Sequence, residues 1–112
     1  MDEETFVMKG LRKNMTRIIW NDEIYDGTTA KVVDVVGAEQ CKIQGVGSGS
    51  YTLKGRLSTT ASFDTICTIK VSDFSKKSEI TDAAVYSADV SGYSQITVEA
   101  SGLDSIIAVL MG

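Results

Sequence analysis

From about residue 30 onward, apolar and polar side chains alternate in short runs broken by Gly- and Ser-rich clusters. A period of two sends successive side chains to opposite faces of an extended strand, so the pattern restricts the chain to half-buried β-structure. In residues 40–45, Cys41 and Ile43 take one face, Lys42 and Gln44 the other. Residues 50–58 put Tyr51, Leu53 and Leu57 together, with Gly55 at a bulge or close approach. Residues 63–71 align Phe63, Thr65, Cys67, Ile69 and Val71. Further strands are expected over 30–36, 84–90, 94–100 and 104–111, with Tyr86 inward beside Ala88 and Val90. Turn formers punctuate the runs: residues 45–49, read as a hairpin tip, then 58–62, 75–78, Ser91-Gly92 and Ser101-Gly102. About seven or eight short strands with such turns predict an all-β fold, an antiparallel β-sandwich of jelly-roll or immunoglobulin-like type.

The first 29 residues read differently, so the chain divides into an N-terminal arm (1–29) and a sandwich domain (30–112). As a helix, Val7, Leu11, Met15 and Ile18 would form one apolar stripe, which Gly10 weakens. The preferred alternative is an extended arm with short strands at 5–8 and 17–20, followed by a turn at 22–27.

Composition removes more chemistry than it suggests. Histidine is absent, which takes away the commonest general base and metal ligand. Two cysteines alone make no zinc site, and scattered carboxylates such as Asp22/Asp26 or Asp82/Asp89 read as solvated rather than as a glycosidase pair. No enzyme, cofactor or metal site is therefore expected. The net charge of −4 lies wholly in residues 57–112, which hold three basic and seven acidic groups, so nucleic acid is not an expected partner. The longest apolar run spans only residues 106–111, well short of the roughly 18 residues that cross a membrane. The acidic start, Asp2-Glu3-Glu4, is unlike a secretory signal, so Cys41 and Cys67 read as reduced, buried small hydrophobes.

Two loops approach known motifs and fail. Residues 22–27 begin like a calcium loop, but Ile24 and Val33 occupy positions that need ligands. The Gly45–Gly49 cluster lacks the following Gly-Lys-Ser/Thr of a phosphate loop and leads into a strand rather than a helix.

An internal similarity appears at an offset of 55. Asp34, Val35, Gly37 and Gln40 recur as Asp89, Val90, Gly92 and Gln95, and Cys41 and Ile43 fall over Ile96 and Val98. Gly47/Gly102 and Ser50/Ser105 extend the match. Duplication, with two units packed face to face, and chance likeness between strands of common composition both account for it.

The segment Asp89-Val90-Ser91-Gly92-Tyr93 followed by Gln95-Ile96-Thr97-Val98-Glu99 resembles small β-sandwich proteins of tailed-bacteriophage particles. So does Gly49-Ser50-Tyr51-Thr52-Leu53-Lys54-Gly55-Arg56-Leu57-Ser58, over a region covering roughly 30–112. The resemblance implies a virion structural protein: a decoration or cement subunit on the outer head surface, or a tail or baseplate component. It also implies a major capsid or other virion protein as partner, and a homo-oligomer or multi-copy assembly. Carbohydrate-binding modules share much of the pattern, so a glycan is a further candidate ligand, with Trp20, Tyr25 and Tyr93 available to stack on it. Docking is expected through the arm: Lys9, Arg12, Lys13 and Arg17 toward acidic groups, with Val7, Leu11, Ile18, Trp20 and Tyr25 supplying apolar area.

Overall fold

The computed structural model describes residues 17–112. Ten strands follow in order: β1 (Ile18–Tyr25), β2 (Val33–Asp34), β3 (Gln40–Val46), β4 (Ser50–Arg56), β5 (Asp64–Thr65), β6 (Thr68–Lys70), β7 (Lys76–Lys77), β8 (Tyr86–Asp89), β9 (Gln95–Ser101) and β10 (Ser105–Met111). They form a six-stranded antiparallel sheet, β1-β10-β3-β8-β6-β7, and a four-stranded one, β2-β9-β4-β5. This is the all-β sandwich that alternation predicts. Cys41 and Ile43 of β3, Tyr51 and Leu53 of β4, Tyr86 and Ala88 of β8, Ile96 and Val98 of β9, and Ile106, Ala108 and Leu110 of β10 are all buried in one core. Each large aliphatic side chain so buried contributes about 1.5–3 kcal/mol.

The offset of 55 is structural. Strands β3 and β9 run from Gln40 and Gln95, β4 and β10 from Ser50 and Ser105, with matching ends. The register repeats as well: Val46 faces Ser105 where Ser50 faces Ser101, and Gln40 faces Asp89 where Asp34 faces Gln95. The Ala38 N–H donates to Val35 O at 2.9 Å, and the Tyr93 N–H to Val90 O at 3.1 Å. Paired glycines adopt the same left-handed backbone: Gly37 and Gly92 both at φ 89°, Gly47 at 97° and Gly102 at 82°.

The two units do not pack face to face as expected; they interleave. Each passes from one sheet to the other at both of its glycines, so the four-stranded sheet takes β2 and β4 from the first unit and β9 from the second. The six-stranded sheet takes β3 from the first and β8 and β10 from the second. Residues 45–49 are therefore an inter-sheet corner and not a hairpin tip. This corner packs against its equivalent: Asp104 N–H donates to Val46 O at 2.9 Å, and a Cβ at Gly47 would lie 2.8 Å from Asp104 Oδ2.

Three expected strands change. The run over 30–36 reduces to Val33–Asp34 and a single bridge from Ala30 to Tyr25. The run over 63–71 splits, β5 pairing with β4 and β6 with β7 and β8, so the chain crosses between sheets at Ile66. That crossing reverses which side chains face in. Ile66 and Thr68 are buried, while Cys67, Ile69 and Val71 are exposed. Thr68 tolerates burial because its hydroxyl donates to Lys77 O at 2.8 Å. Leu57 falls just beyond β4 and is 71% exposed instead of inward.

Candidate docking surface

A sandwich presents its unpaired main chain at sheet edges, and natural folds keep such edges short, charged or covered. Three of the four edges here obey that rule: β2, β5 and β7 have two residues each. The fourth, β1, has eight. It pairs with β10 on one side only, through a register interrupted twice, between Ile106/Ile107 and between Leu110/Met111. At its far end the chain folds back over it, with Lys31 N–H donating to Ile24 O at 2.8 Å. Along the rest of its outer side, β1 is an open edge among the described residues.

Sequence reasoning assigned residues 18–25 to the arm; they are instead part of the six-stranded sheet. Ile18 is exposed, whereas Ile24 is fully buried and closes the core from this side. Trp20, opposite Leu110, and Tyr25, opposite Ile106, are half-buried and pack against the core. The Tyr25 hydroxyl donates to Gly27 O at 2.9 Å, and Lys31 Nζ stands 6.0 Å from the Trp20 ring centroid. Arg17 is exposed, and its N–H donates to Gly112 O at 3.1 Å. Val7, Lys9, Leu11, Arg12 and Lys13 lie outside the described residues, as does the expected strand at 5–8. Ile18, the last member of the alternative helical stripe, is extended.

The edge carries mixed charge. Asp22 accepts from the Glu23 N–H at 2.7 Å and pairs with Lys31 at 3.4 Å, which together hold its carboxyl below the usual range. Asp26 is held low in the same sense by the N–H groups of Thr29 and Thr28 and the Thr28 hydroxyl. The expected turn over 22–27 is therefore shorter and later: residues 22–25 are strand, and the chain turns over residues 26–29, where the Asp26 carboxylate accepts from the Thr28 and Thr29 N–H groups.

The two ends of the sandwich differ. The corner end holds the glycine corners and the turn after β1. The turn end holds residues 35–38 and 90–93, Leu57, Gly112 and the point where residues 1–16 join the sheet. Tyr93 lies at the turn end against Gly55, where an added Cβ would come within 2.7 Å of its ring. This is the close approach anticipated at Gly55. Tyr25 lies at the other end, so Tyr25 and Tyr93 form no shared platform.

Pattern reasoning missed three exposed apolar groups, Val36 at 78%, Leu57 at 71% and Phe74 at 79%. For Val36 the alternation with buried Val33 and Val35 was the available signal; for Phe74, its position in an Asp-Phe-Ser turn beside two lysines.

No protein-family model matches the chain, and no curated protein matches it in sequence. Two solved structures share its fold. The crystal structure of the SPBc2 prophage-derived protein YomS superposes with a TM-score of 0.75 at 9% identity, over 88% of this chain and 96% of that one. The crystal structure of the PBSX exported protein XepA gives a TM-score of 0.75 at 14% identity, over 87% of this chain; the match spans 38% of XepA. Both neighbours are phage-derived proteins, and the likeness establishes the fold.

Proposed function

We propose that the chain is a non-catalytic structural protein of a bacteriophage particle, in its most specific form a decoration or cement subunit on the outer head surface. Attachment to the tail or baseplate is the close variant. The observation that carries this reading is the long edge strand β1, which directly follows residues 1–16 and is open along most of its outer side among the described residues, in a fold shared with two phage-derived proteins. An edge of that length offers a partner strand a row of main-chain donors and acceptors. Ile18 and Trp20 add apolar area beside it, and Val7 and Leu11 extend that area along the arm. Lys9, Arg12, Lys13 and Arg17 meet carboxylates on a capsid or other virion protein. The rigid sandwich then bridges neighbouring subunits, with many copies sharing the load. Ordering an arm costs about 1–2 kcal/mol per residue in backbone entropy, which apolar burial and strand pairing must offset.

The test removes residues 2–16 and spares β1. The shortened chain is expected to keep its circular dichroism and melting temperature while its occupancy of particles, measured by co-sedimentation, falls sharply. If it folds and occupies particles as fully as the intact chain, docking through the arm is wrong.

A further inference from the structure

Phe74 has the only left-handed backbone among the described non-glycine residues, at φ 63°, and it is the most exposed large apolar side chain of the described region. An aromatic residue in that conformation costs free energy, and the exposed ring recovers none of it within the monomer. The turn is nevertheless tightly held. Phe74 N–H donates to Lys70 O at 2.7 Å and Lys70 N–H to Ser75 O at 2.8 Å. Asp73 Oδ1 accepts from the Ser75 N–H at 2.9 Å and from its hydroxyl at 2.7 Å. Phe74 is thus a fixed aromatic knob, flanked by the exposed Lys76 and Lys77.

At the turn end lies an open cleft of about 370 Å³, lined by Val36, Leu57, Tyr93 and the backbone of Gly37 and Gly92. Val36 and Leu57 are among the most exposed aliphatic side chains of the described region. Asp34, Glu39 and Asp89, all exposed, surround this end. Arg17 is an exposed base there, and Arg56 is engaged by Gln95 Oε1 at 2.6 Å and stacked on Phe63 at 4.3 Å. Strand β6 runs antiparallel to β8, away from the turn end, so the knob stands at the corner end, opposite the cleft. A molecule cannot fill its own cleft.

We propose that Phe74 of one copy seats in the Val36–Leu57–Tyr93 cleft of a second copy, with Lys76 and Lys77 facing the acidic rim. This names the self-contact of the multi-copy assembly in the functional reading above and rests on that reading. Because knob and cleft occupy different surfaces, the contact is head-to-tail and repeats from copy to copy.

Sedimentation velocity on the purified full chain, over a wide concentration series and with no particles present, tests this. The wild-type chain is expected to form species that grow with concentration. Phe74→Gly weakens association by about thirty-fold or more, as loss of a central aromatic anchor does. It melts no lower than wild type, because glycine accepts the left-handed backbone; Phe74→Asn behaves likewise. Leu57→Asp is also monomeric. Mixed together, Phe74→Gly supplies an intact cleft and Leu57→Asp an intact knob, so the two form a one-to-one dimer that grows no further. A wild-type chain that stays monomeric, a Phe74→Gly chain that associates normally, or a mixture that fails to pair overturns the proposal. Removing residues 2–16, which tests particle docking, leaves self-association intact, so the two readings fail separately.

Discussion

The two interleaved units agree inside the molecule and disagree outside it. Facing inward, Cys41 and Ile43 correspond to Ile96 and Val98, and Tyr51 and Leu53 to Ile106 and Ala108, and all are buried. Facing outward, Thr52 and Lys54 of β4 correspond to Ile107 and Val109 of β10. Lys54 pairs with Glu99 at 3.3 Å on a polar sheet face, whereas Ile107 and Val109 line a shallow apolar groove with Val85. At the turn end, Val36 and Leu57 correspond to Ser91 and Gly112. Burial is what the two units share, and their outward side chains differ in polarity.

The inner half of that comparison makes the largest prediction. Leu53→Ala and Leu110→Ala each remove a fully buried side chain and should cost about 2–5 kcal/mol by chemical denaturation. Their equivalents are the small residues Ala108 and Gly55, and at Gly55 the layer has no room, since a Cβ there would lie 2.7 Å from Ile66 Cδ1. Gly55→Ala should therefore destabilise by about 1–3 kcal/mol through overpacking. A neutral Gly55→Ala would mean that the large-small complementarity between the units is slack.

The glycines sharpen it next. Gly37→Ala and Gly92→Ala meet no atom within 4 Å, so each should cost only the left-handed penalty of about 1–2 kcal/mol. Gly47→Ala and Gly102→Ala carry that penalty plus contacts at 2.8 Å to Asp104 Oδ2 and 3.1 Å to Ser48 O. Thermal melts should place both corner variants below both turn variants. Corner and turn variants melting together would deny the locking of one corner on the other.

Most of the scaffold was legible because alternation reports which side chains face a core, and five of the ten strands, β3, β4, β8, β9 and β10, are regular enough to show it. The repeat was legible for the same reason, since its glycines and inward positions recur. Interleaving was not, because a glycine corner between sheets has the same local sequence as a hairpin turn. Thr68 illustrates a second limit: a polar residue entered the core once β6 changed sheets, and the predicted face of residues 63–71 inverted with it. Cys67 followed, and is exposed while Cys41 is buried with its thiol pushed up to about 12. A thiol reagent should accordingly label Cys67 in the native protein and reach Cys41 only on unfolding. Of the residues proposed to dock, Ile18, Trp20 and Tyr25 lie along one edge strand and Arg17 directly precedes it, so these four belong to a sheet edge and not to a free arm. Exposed Val36 was marked only by its alternation with Val35, and exposed Phe74 only by its Asp-Phe-Ser turn.

Acid should act through carboxyls of the second unit and of the segment that joins the two units. Asp89 is held low by the Ser91 hydroxyl and N–H, Asp73 by the Ser75 N–H and hydroxyl, and Asp82 chiefly by Lys70 at 3.1 Å. Carboxyls depressed in the folded state bind protons more readily when unfolded. Their contribution is therefore full above the ordinary carboxylate range and lost as pH falls through their folded values. Denaturation midpoints should hold from neutrality down to that range and drop below it. Because these groups are exposed, the decline should be modest and shared, with Asp82→Asn removing part of it.

The smallest expected effect is the most informative about the divergent surface. Leu57→Gly gives the first unit the residue that its equivalent, Gly112, has in the second. Leu57 is exposed and lies beyond the last hydrogen-bonded residue of β4, so its loss should change stability by no more than about 0.5 kcal/mol. The same substitution removes one wall of the cleft that receives Phe74, so self-association should fall while the melt stays still. A stability loss as large as that of Leu53→Ala would instead make Leu57 part of the scaffold. The separation of an outward-facing Leu57 from the buried layer that the two units share would then fail.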